Sequence, residues 1–423
     1  MSAVRRSQTA ATKNHPLPNP RVIFVNRVYW PSTAATAQLL TDLAEGLAAR
    51  GWEVHVLAAG ESSTRHHGVT IHRTGGSEQH GGLLSRAINY GRFRRQAQRQ
   101  LASLVQPGDV VVAMTDPPML GAALTGIAVS RGAQVVHWIQ DIYPEIVTAH
   151  VGALAALPLW PLRLKRDAAW RAARCCVALG EDMARAVTTH GVPAGQVEIA
   201  PNWAPRELQT EPSAGDVAAR RAAWGLVGKY IVAYSGNLGR VHEFAAVLEA
   251  AEKLKSRSDI TFLFIGAGAR FDEVRATAQS RRLDNIRLLP PEPRTQLAAA
   301  LAAADAQLVT LKSNFARLVY PSKLAGVLAA GRPVLFVGPP NGEIARLLTH
   351  EKCGVALAPG EGARLAETVA AWQAAPARGA LLGRAARAAY EKHFTFAAAL
   401  ARWEEILRRA GDVGRGLPPT SGR

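Results

Sequence analysis

Short β-rich runs alternate with longer helical patterns along this chain, and the alternation occurs twice, with a polar stretch between the two series. Parallel strands must be joined by crossovers of a dozen or more residues, usually helical. The pattern therefore restricts the fold to α/β, with parallel sheets covered on both faces. In the first series Arg21–Asn26 reads as a buried strand and Ala34–Arg50 as an amphipathic helix. Further strands are expected near Glu53–Ala58, Val69–Arg73, Asp109–Met114, Gln134–Ile139, Cys175–Leu179 and Val197–Ala200. The second series reads Tyr230–Ser235, Thr261–Ile265, Ile286–Leu289, Ala306–Thr310, Pro333–Val337 and Val355–Leu357 as strands. Its helices are expected around His242–Arg257, Phe271–Arg282, Thr295–Ala304, Ser322–Ala330, Glu343–His350 and Gly362–Ala375. A chain of 423 residues exceeds the ~250 at which single cores stop growing. Two doubly wound, Rossmann-like domains follow, 21–205 and 230–395, joined by a linker over 206–229 that carries Pro212, Gly215, Gly225 and Gly228. A last helix over 396–410 is expected to return to the first domain. Met1–Pro20 reads as a disordered leader without the apolar core of a secretory signal, and 411–423 as a flexible tail.

Ligands of such sheets sit beyond the carboxyl ends of the strands, so two facing domains place the chemistry in the cleft between them. The formal charge is +17, from 50 basic and 33 acidic residues. Arg outnumbers Lys by 41 to 9 and Ala is abundant, a bias in part of codon usage, so the charge argues for anionic substrates or lipid more than for nucleic acid. Three cysteines, Cys175, Cys176 and Cys353, make neither a disulfide framework nor a zinc site on their own, and a reducing compartment is the natural inference. No run of ~18 apolar residues is present to span a membrane.

Several chemistries are excluded by missing motifs. Neither first strand is followed by G-x-G-x-x-G, no G-x-x-x-x-G-K-[ST] occurs, and no two Asp residues stand two apart to clamp a metal. His66-His67 falls in a polar loop, and solvation accounts for it better than a metal. What remains are strand-end loops suited to phosphate. Tyr234–His242 follows the first strand of the second series: Gly236 and Gly239 let backbone N–H groups approach an anion, while Arg240 and His242 add donors, unless the loop is only a turn. Gly266-Ala-Gly268 admits the same two readings. In Tyr320-Pro-Ser-Lys323, Ser322 can N-cap the next helix, and Lys323 in its first turn opposes the helix dipole unless an anion binds there or water solvates it. Glu343 opens another helix, where it stabilises the N-terminus.

In the first series, Ser32, Thr33 and Thr36 lie between strand and helix, and their small side chains allow a ligand close. Asp116 ends one strand and Gln140-Asp141 another. Asp141 either accepts a proton from a substrate hydroxyl or caps the short helix that follows.

Taken in order, these loops resemble the retaining group 1 (family four) glycosyltransferases of GT-B fold, in the branch serving bacterial capsule, O-antigen and colanic-acid-type polysaccharides. The resemblance spans about residues 21–410. It rests on Ala35–Ala44 (ATAQLLTDLA), Gln140–Glu145 (QDIYPE), Tyr234–Gly239 (YSGNLG), Pro321–Gly326 (PSKLAG), Ala329–Phe336 (AAGRPVLF) and Gly342–Leu347 (GEIARL).

The resemblance implies a nucleoside-diphosphate sugar, UDP-linked, as substrate of the second domain, with no metal and no other cofactor. Gly236, Asn237, Leu238, Gly239, Arg240, His242, Gly266, Ser322 and Lys323 would hold the donor, with backbone near Pro291 meeting the base. Ser32, Thr33, Thr36, Asp116, Gln140 and Asp141 would face the acceptor, and Asp141 and Lys323 would be catalytic. The family's Glu-x7-Glu falls on Leu318 and Gly326, so a ribose contact must come from elsewhere, with Glu343 the candidate. The family's usual acceptor-side His falls on Gln140.

Basic amphipathic stretches at Gly152–Arg174 and Leu83–Arg99 suit anionic lipid, though ordinary surface helices would look alike. The expected protein is cytoplasmic, peripheral on the inner face of the plasma membrane, with a polyprenyl-diphosphate-linked saccharide as acceptor and no nucleic-acid partner. A sugar-nucleotide epimerase of the same fold and a basic nucleic-acid binder are the competing classes.

Overall fold

The computed structural model describes residues 19–76 and 82–412. The leader residues 1–18 and the tail residues 413–423 lie outside them.

Val22–Val25 (β1) shows how the first domain is layered. All four side chains are fully buried, with Val22 and Phe24 in one apolar cluster and Ile23 and Val25 in another on the opposite face. A strand buried on both faces belongs inside a parallel sheet wound with helices on either side. The others are Val54–Ala58 (β2), Thr64–His66 (β3), Val69–Arg73 (β4), Val110–Ala113 (β5), Gln134–Trp138 (β6), Cys175–Ala178 (β7) and Val197–Ile199 (β8). The order is β3-β4-β2-β1-β5-β6-β7-β8, parallel except for β3, which pairs antiparallel with β4. The polar loop expected around His66-His67 thus forms part of a hairpin.

The second sheet holds Tyr230–Ser235 (β9), Ile260–Ile265 (β10), Ile286–Leu289 (β11), Ala306–Thr310 (β12), Val334–Val337 (β13) and Gly354–Leu357 (β14). Its order is β11-β10-β9-β12-β13-β14, parallel throughout. Along β9, Val232 and Tyr234 face one cluster and Ile231 and Ala233 the other.

Three segments differ from expectation. Residues 206–229 are not a plain linker: Ala214–Ala223 is helical, opened by a capping box between Ser213 and Asp216. Trp224 and Leu226 are buried with Ile231 and Ala233, and the Trp224 Nε1–H donates to Glu292 at 2.9 Å, so this helix belongs to the second domain. A helix over Pro376–His393 packs on the second domain against Lys323–Ala329, without a strong apolar stripe to announce it. The helix expected to start at His242 starts at Ala245, which leaves Gly236–His242 as a loop outside the helix.

The final helix, Phe396–Gly411, lies against the first domain. Trp403 is fully buried with its ring 4.7 Å from that of Trp138, and Trp52 Nε1–H donates to Glu404 at 3.1 Å. Among the described residues no helix is long and apolar enough to cross a membrane.

Candidate functional site

Strand β9 ends at Ser235, and Gly236 then turns with φ +123°, a backbone region that side chains with a Cβ rarely adopt. A Cβ on Gly236 would also stand 3.3 Å from Lys323 Nζ. The loop is clasped from below by the turn after β10: Gly236 N–H donates to the Ile265 carbonyl and Leu238 N–H to the Ala267 carbonyl. A Cβ on Gly266 would lie 2.1 Å from the Gly236 oxygen, and one on Gly268 2.3 Å from Asn237 Oδ1. Gly-Ala-Gly is thus required for two loops to touch.

Lys323 opens the helix Lys323–Ala329 and reaches toward that glycine loop. Its ammonium sits 3.6 Å from the Tyr234 ring centroid and 3.4 Å from the Asn237 carbonyl oxygen. No carboxylate lies within ion-pair distance among the described residues, and desolvation pushes its pKa well below the usual lysine value. A cation so placed is costly unless an anion joins it.

The space in front of Lys323 is a cavity of about 210 Å³ between the domains. The second domain contributes Ser235, Gly236, Ser322, Gly326 and Arg294. The first domain contributes Gln38, Leu39 and Asp42 from its first helix, with Asn202 and Trp203. Asp42 is the one carboxylate among the described lining residues. It accepts from Trp203 Nε1 at 3.2 Å and pairs with Arg206 at 2.8 Å, while burial holds its pKa above the ordinary value.

The remaining expected residues distribute unevenly. Gly236, Ser322 and Lys323 come together, but Ser322 makes no capping hydrogen bond. Asn237 and Gly239 flank the loop, and Leu238 is fully buried in the core. His242 does not serve as a charged donor: its Nδ1 bonds the Thr310 carbonyl at 2.8 Å, and burial first, then Lys323, lowers its pKa to about 4. Gly266 holds the neighbouring loop, and exposed Pro291 is absent from the cavity wall, where Arg294 stands instead. Arg240 lines a separate cavity with Arg270 and Lys312.

Glu343, the candidate ribose contact, stands outside the Lys323 cavity. Its Oε2 accepts from the Asp182 N–H at 3.2 Å, and Asp182 Oδ2 accepts from the Glu343 N–H at 2.7 Å. Two helices, one from each domain, thereby cap each other.

On the first domain, Asp116 is held bidentate by Arg27 at 3.0 Å on both arms. Gln140 is buried and its amide pairs with that of Asn202, at 2.8 and 3.3 Å. Ser32, Thr33 and Thr36 are not among the residues lining the Lys323 cavity, although their neighbour Ala35 is.

Asp141 lines a different, small cavity with Thr115, His137 and Tyr143. Desolvation first, then Asp116, raises its pKa to about 6. Its backbone bridges Val319, and Ile142 N–H donates to the Leu318 carbonyl at 2.9 Å, so it is tied to the segment that leads into Ser322 and Lys323. The outward polar face of the first helix, Gln38 and Asp42, was the signal that sequence reasoning passed over. One His/Cys/Asp/Glu cluster has ligand-like spacing among the described residues: His66 and His67 at 3.6 and 3.3 Å from Glu45.

The Glycosyltransferase Family 4 pattern matches residues 36–207, and the pattern of the Glycosyl transferases group 1 matches 217–390. WbjE of Pseudomonas aeruginosa, named as a glycosyltransferase, is 27% identical over 64% of this chain and 67% of its own length. WcaI of Escherichia coli K12, named as a colanic acid biosynthesis glycosyl transferase, is 32% identical over 37% of this chain and 39% of its own. Among solved structures, Alr3699/HepE of Anabaena in complex with UDP and glucose superposes with a TM-score of 0.70 at 16% identity, covering 92% of this chain and 99% of that one. The sucrose-phosphate synthase of Thermosynechococcus elongatus gives 0.74 at 18%, covering 92% and 98%. At such identities these likenesses establish the fold. Two parallel-sheet domains, a glycine loop and a lysine facing one cleft, and matches over both halves lead to one assignment: the chain belongs to the group 1 glycosyltransferases of GT-B fold, of the type that builds bacterial polysaccharides.

Proposed function

We propose that this protein transfers a hexosyl group, with retention of configuration and without a metal ion, from a UDP-linked sugar to a polyprenyl-diphosphate-linked saccharide in cell-surface exopolysaccharide synthesis. It would work in the cytoplasm, held peripherally on the anionic inner face of the plasma membrane by its basic helices. The observation that carries the reading is the Lys323 ammonium beside Gly236 at the floor of the interdomain cavity, without a carboxylate partner. A leaving diphosphate would supply the missing negative charge.

Metal independence is supported by the donor set, since a divalent ion beside a diphosphate takes one or two free carboxylates and the one in the described lining, Asp42, is already engaged by Trp203 and Arg206. One well-aimed electrostatic donor contributes roughly 3–4 kcal/mol to transition-state stabilisation, and Lys323 fills that role as negative charge grows on the leaving oxygen. In a retaining displacement the acceptor hydroxyl attacks from the face the diphosphate leaves, and a phosphate oxygen takes its proton. Asp141 then acts on the acceptor side by orienting that hydroxyl. HepE, of like fold, is known in complex with UDP and glucose, which favours UDP among the nucleotides.

A thermal-shift series with UDP-, GDP- and dTDP-sugars, with and without EDTA, tests the reading. UDP-sugars should stabilise the protein with or without chelator, and transfer to a polyprenyl-diphosphate-linked saccharide should follow. Conversion of a UDP-sugar to its epimer without acceptor would replace this function with the competing one.

A further inference from the structure

Away from Lys323, two further cavities meet at the domain boundary and share a wall formed by Ala149 and Asn314. The Asn314 Nδ2–H donates to the Ala149 carbonyl at 2.9 Å, which fixes that wall between the first-domain helix Glu145–Val151 and the second domain.

The first cavity, about 500 Å³, is cationic. Of its charged groups, Arg270 is satisfied by Glu273 and by the His242 carbonyl. Arg240 and Lys312 have no ion-pair or side-chain hydrogen-bond partner among the described residues, so with Glu273 set against Arg270 the crevice between the domains keeps an excess of positive charge. His150 at its edge is held below its ordinary pKa by burial and then by these two cations.

The second cavity, about 830 Å³, is apolar and is walled by Leu154, Leu157, Leu159 and Trp160. Leu154 is 94% exposed and Leu157 83%. Seven of the twelve exposed large apolar side chains among the described residues fall between Val147 and Leu164. Such a concentration marks a contact surface rather than chance.

A cationic crevice that opens directly onto an apolar groove matches a molecule with an anionic head and a single hydrocarbon tail. We infer that this seam binds a diphosphate-bearing amphiphile, its pyrophosphate between Arg240 and Lys312 and its chain along Leu154, Leu157 and Trp160. The inference rests on the proposed transfer reaction only in naming that amphiphile as the acceptor's lipid carrier; the charge and the groove stand without it. A bilayer presents a broad array of headgroups, whereas Arg240 and Lys312 line one crevice of about 500 Å³ between the domains.

The test uses the full chain with UDP at saturation to fill the donor cavity, and titrates farnesyl diphosphate, inorganic pyrophosphate and farnesol by calorimetry. Farnesyl diphosphate should bind at least tenfold more tightly than either fragment. Lys312→Ala should weaken farnesyl diphosphate and pyrophosphate alike by tenfold or more, with recovery in Lys312→Arg. Leu157→Ser should weaken farnesyl diphosphate alone. Equal affinity for pyrophosphate and farnesyl diphosphate, or binding only to phosphatidylglycerol vesicles and unaffected by Lys312→Ala, would overturn the inference. The UDP thermal shift of the same proteins reads the donor site separately: a retained shift with no amphiphile binding ends this inference and spares the transferase, whereas a lost shift in wild type ends the donor reading and leaves the amphiphile titration to be judged by itself.

Discussion

Replacing Lys323 by alanine separates the chemical role of this lysine from any structural one. In the free protein the ammonium makes a 3.4 Å contact to the Asn237 carbonyl and lies 3.6 Å from the Tyr234 ring centroid. The ring contact contributes about 0.5–2 kcal/mol, and desolvation of the charge opposes it. The two terms oppose each other, so the melting temperature should not fall by more than a few degrees. Catalysis should suffer far more: losing one electrostatic donor of ~3–4 kcal/mol lowers kcat/KM more than a hundredfold. There is also a proton signature. Unfolding returns the amine to its ordinary basicity, so the unfolded chain holds more protons across the window between the depressed and ordinary pKa, and stability rises with pH there. A bound diphosphate raises the depressed pKa, so at a pH inside that window donor binding should draw proton from solvent. Calorimetry of UDP binding in two buffers of different ionisation enthalpy measures that uptake, which should vanish in Lys323→Ala. A variant with kcat/KM within tenfold of wild type and the same proton uptake would refute the assignment.

The Asp141 carboxyl, with a pKa near 6 against an ordinary 3.8, makes the folded state hold more protons between those values, so stability falls as pH rises through that window. Asp141→Asn should flatten that slope in urea titrations and add at most about 3 kcal/mol at pH 7, while transfer activity falls. Gly268→Ala places a Cβ 2.3 Å from Asn237 Oδ1 at a backbone φ of +133° and should displace the Gly236 loop. Its UDP affinity, read by calorimetry, should drop at least tenfold. Trp403→Ala empties the seam between the last helix and the first domain and should cost about 3–5 kcal/mol in urea unfolding. Asp182→Ala removes one half of the cap between the domains and the partner of Arg346. Small-angle scattering should show a larger radius of gyration, with each domain's unfolding little changed.

The fold was legible because its signals are local and repeated. Every second-domain strand falls within a residue of its expected limits, since parallel strands buried on both faces read as apolar runs bounded by polar turns. The helix Pro376–His393 escaped because alanine and arginine alternate without a marked stripe, and the segment 206–229 because its capping box and buried Trp224 lie among prolines and glycines. In the site, glycine positions were legible and side-chain partners were not. Glu343 stands at a helix N-terminus, as read, but its partner Asp182 is 161 residues away. Likewise nothing local shows that Gln140 is spent on Asn202, or that His242 turns to the Thr310 carbonyl instead of the cleft.

The two positions where the family carries glutamates show how this chain reorganised its donor side. Leu318 gives its carbonyl to Ile142 across the domain boundary and packs, half-buried, against the apolar clusters of both domains, so a carboxylate there would lie partly against hydrocarbon. At Gly326 a Cβ would already stand 3.2 Å from Leu208 Cδ1, a residue of the connection between the domains. A glutamate would have to displace that leucine. Under the proposed reading the polar contacts a nucleoside needs would come from the opposite wall, where Asn202 is paired with Gln140 and Asp42 with Trp203 and Arg206, while on the second domain Arg294 is paired with Glu207. Gln38 donates its amide to the Thr33 carbonyl at 2.7 Å and keeps its oxygen, and Ser235 and Lys323 keep capacity opposite it. Groups with capacity to spare thus stand on both domains. A donor held by them would bind the two domains together, and its affinity should then depend on the Asp182–Glu343 cap between them.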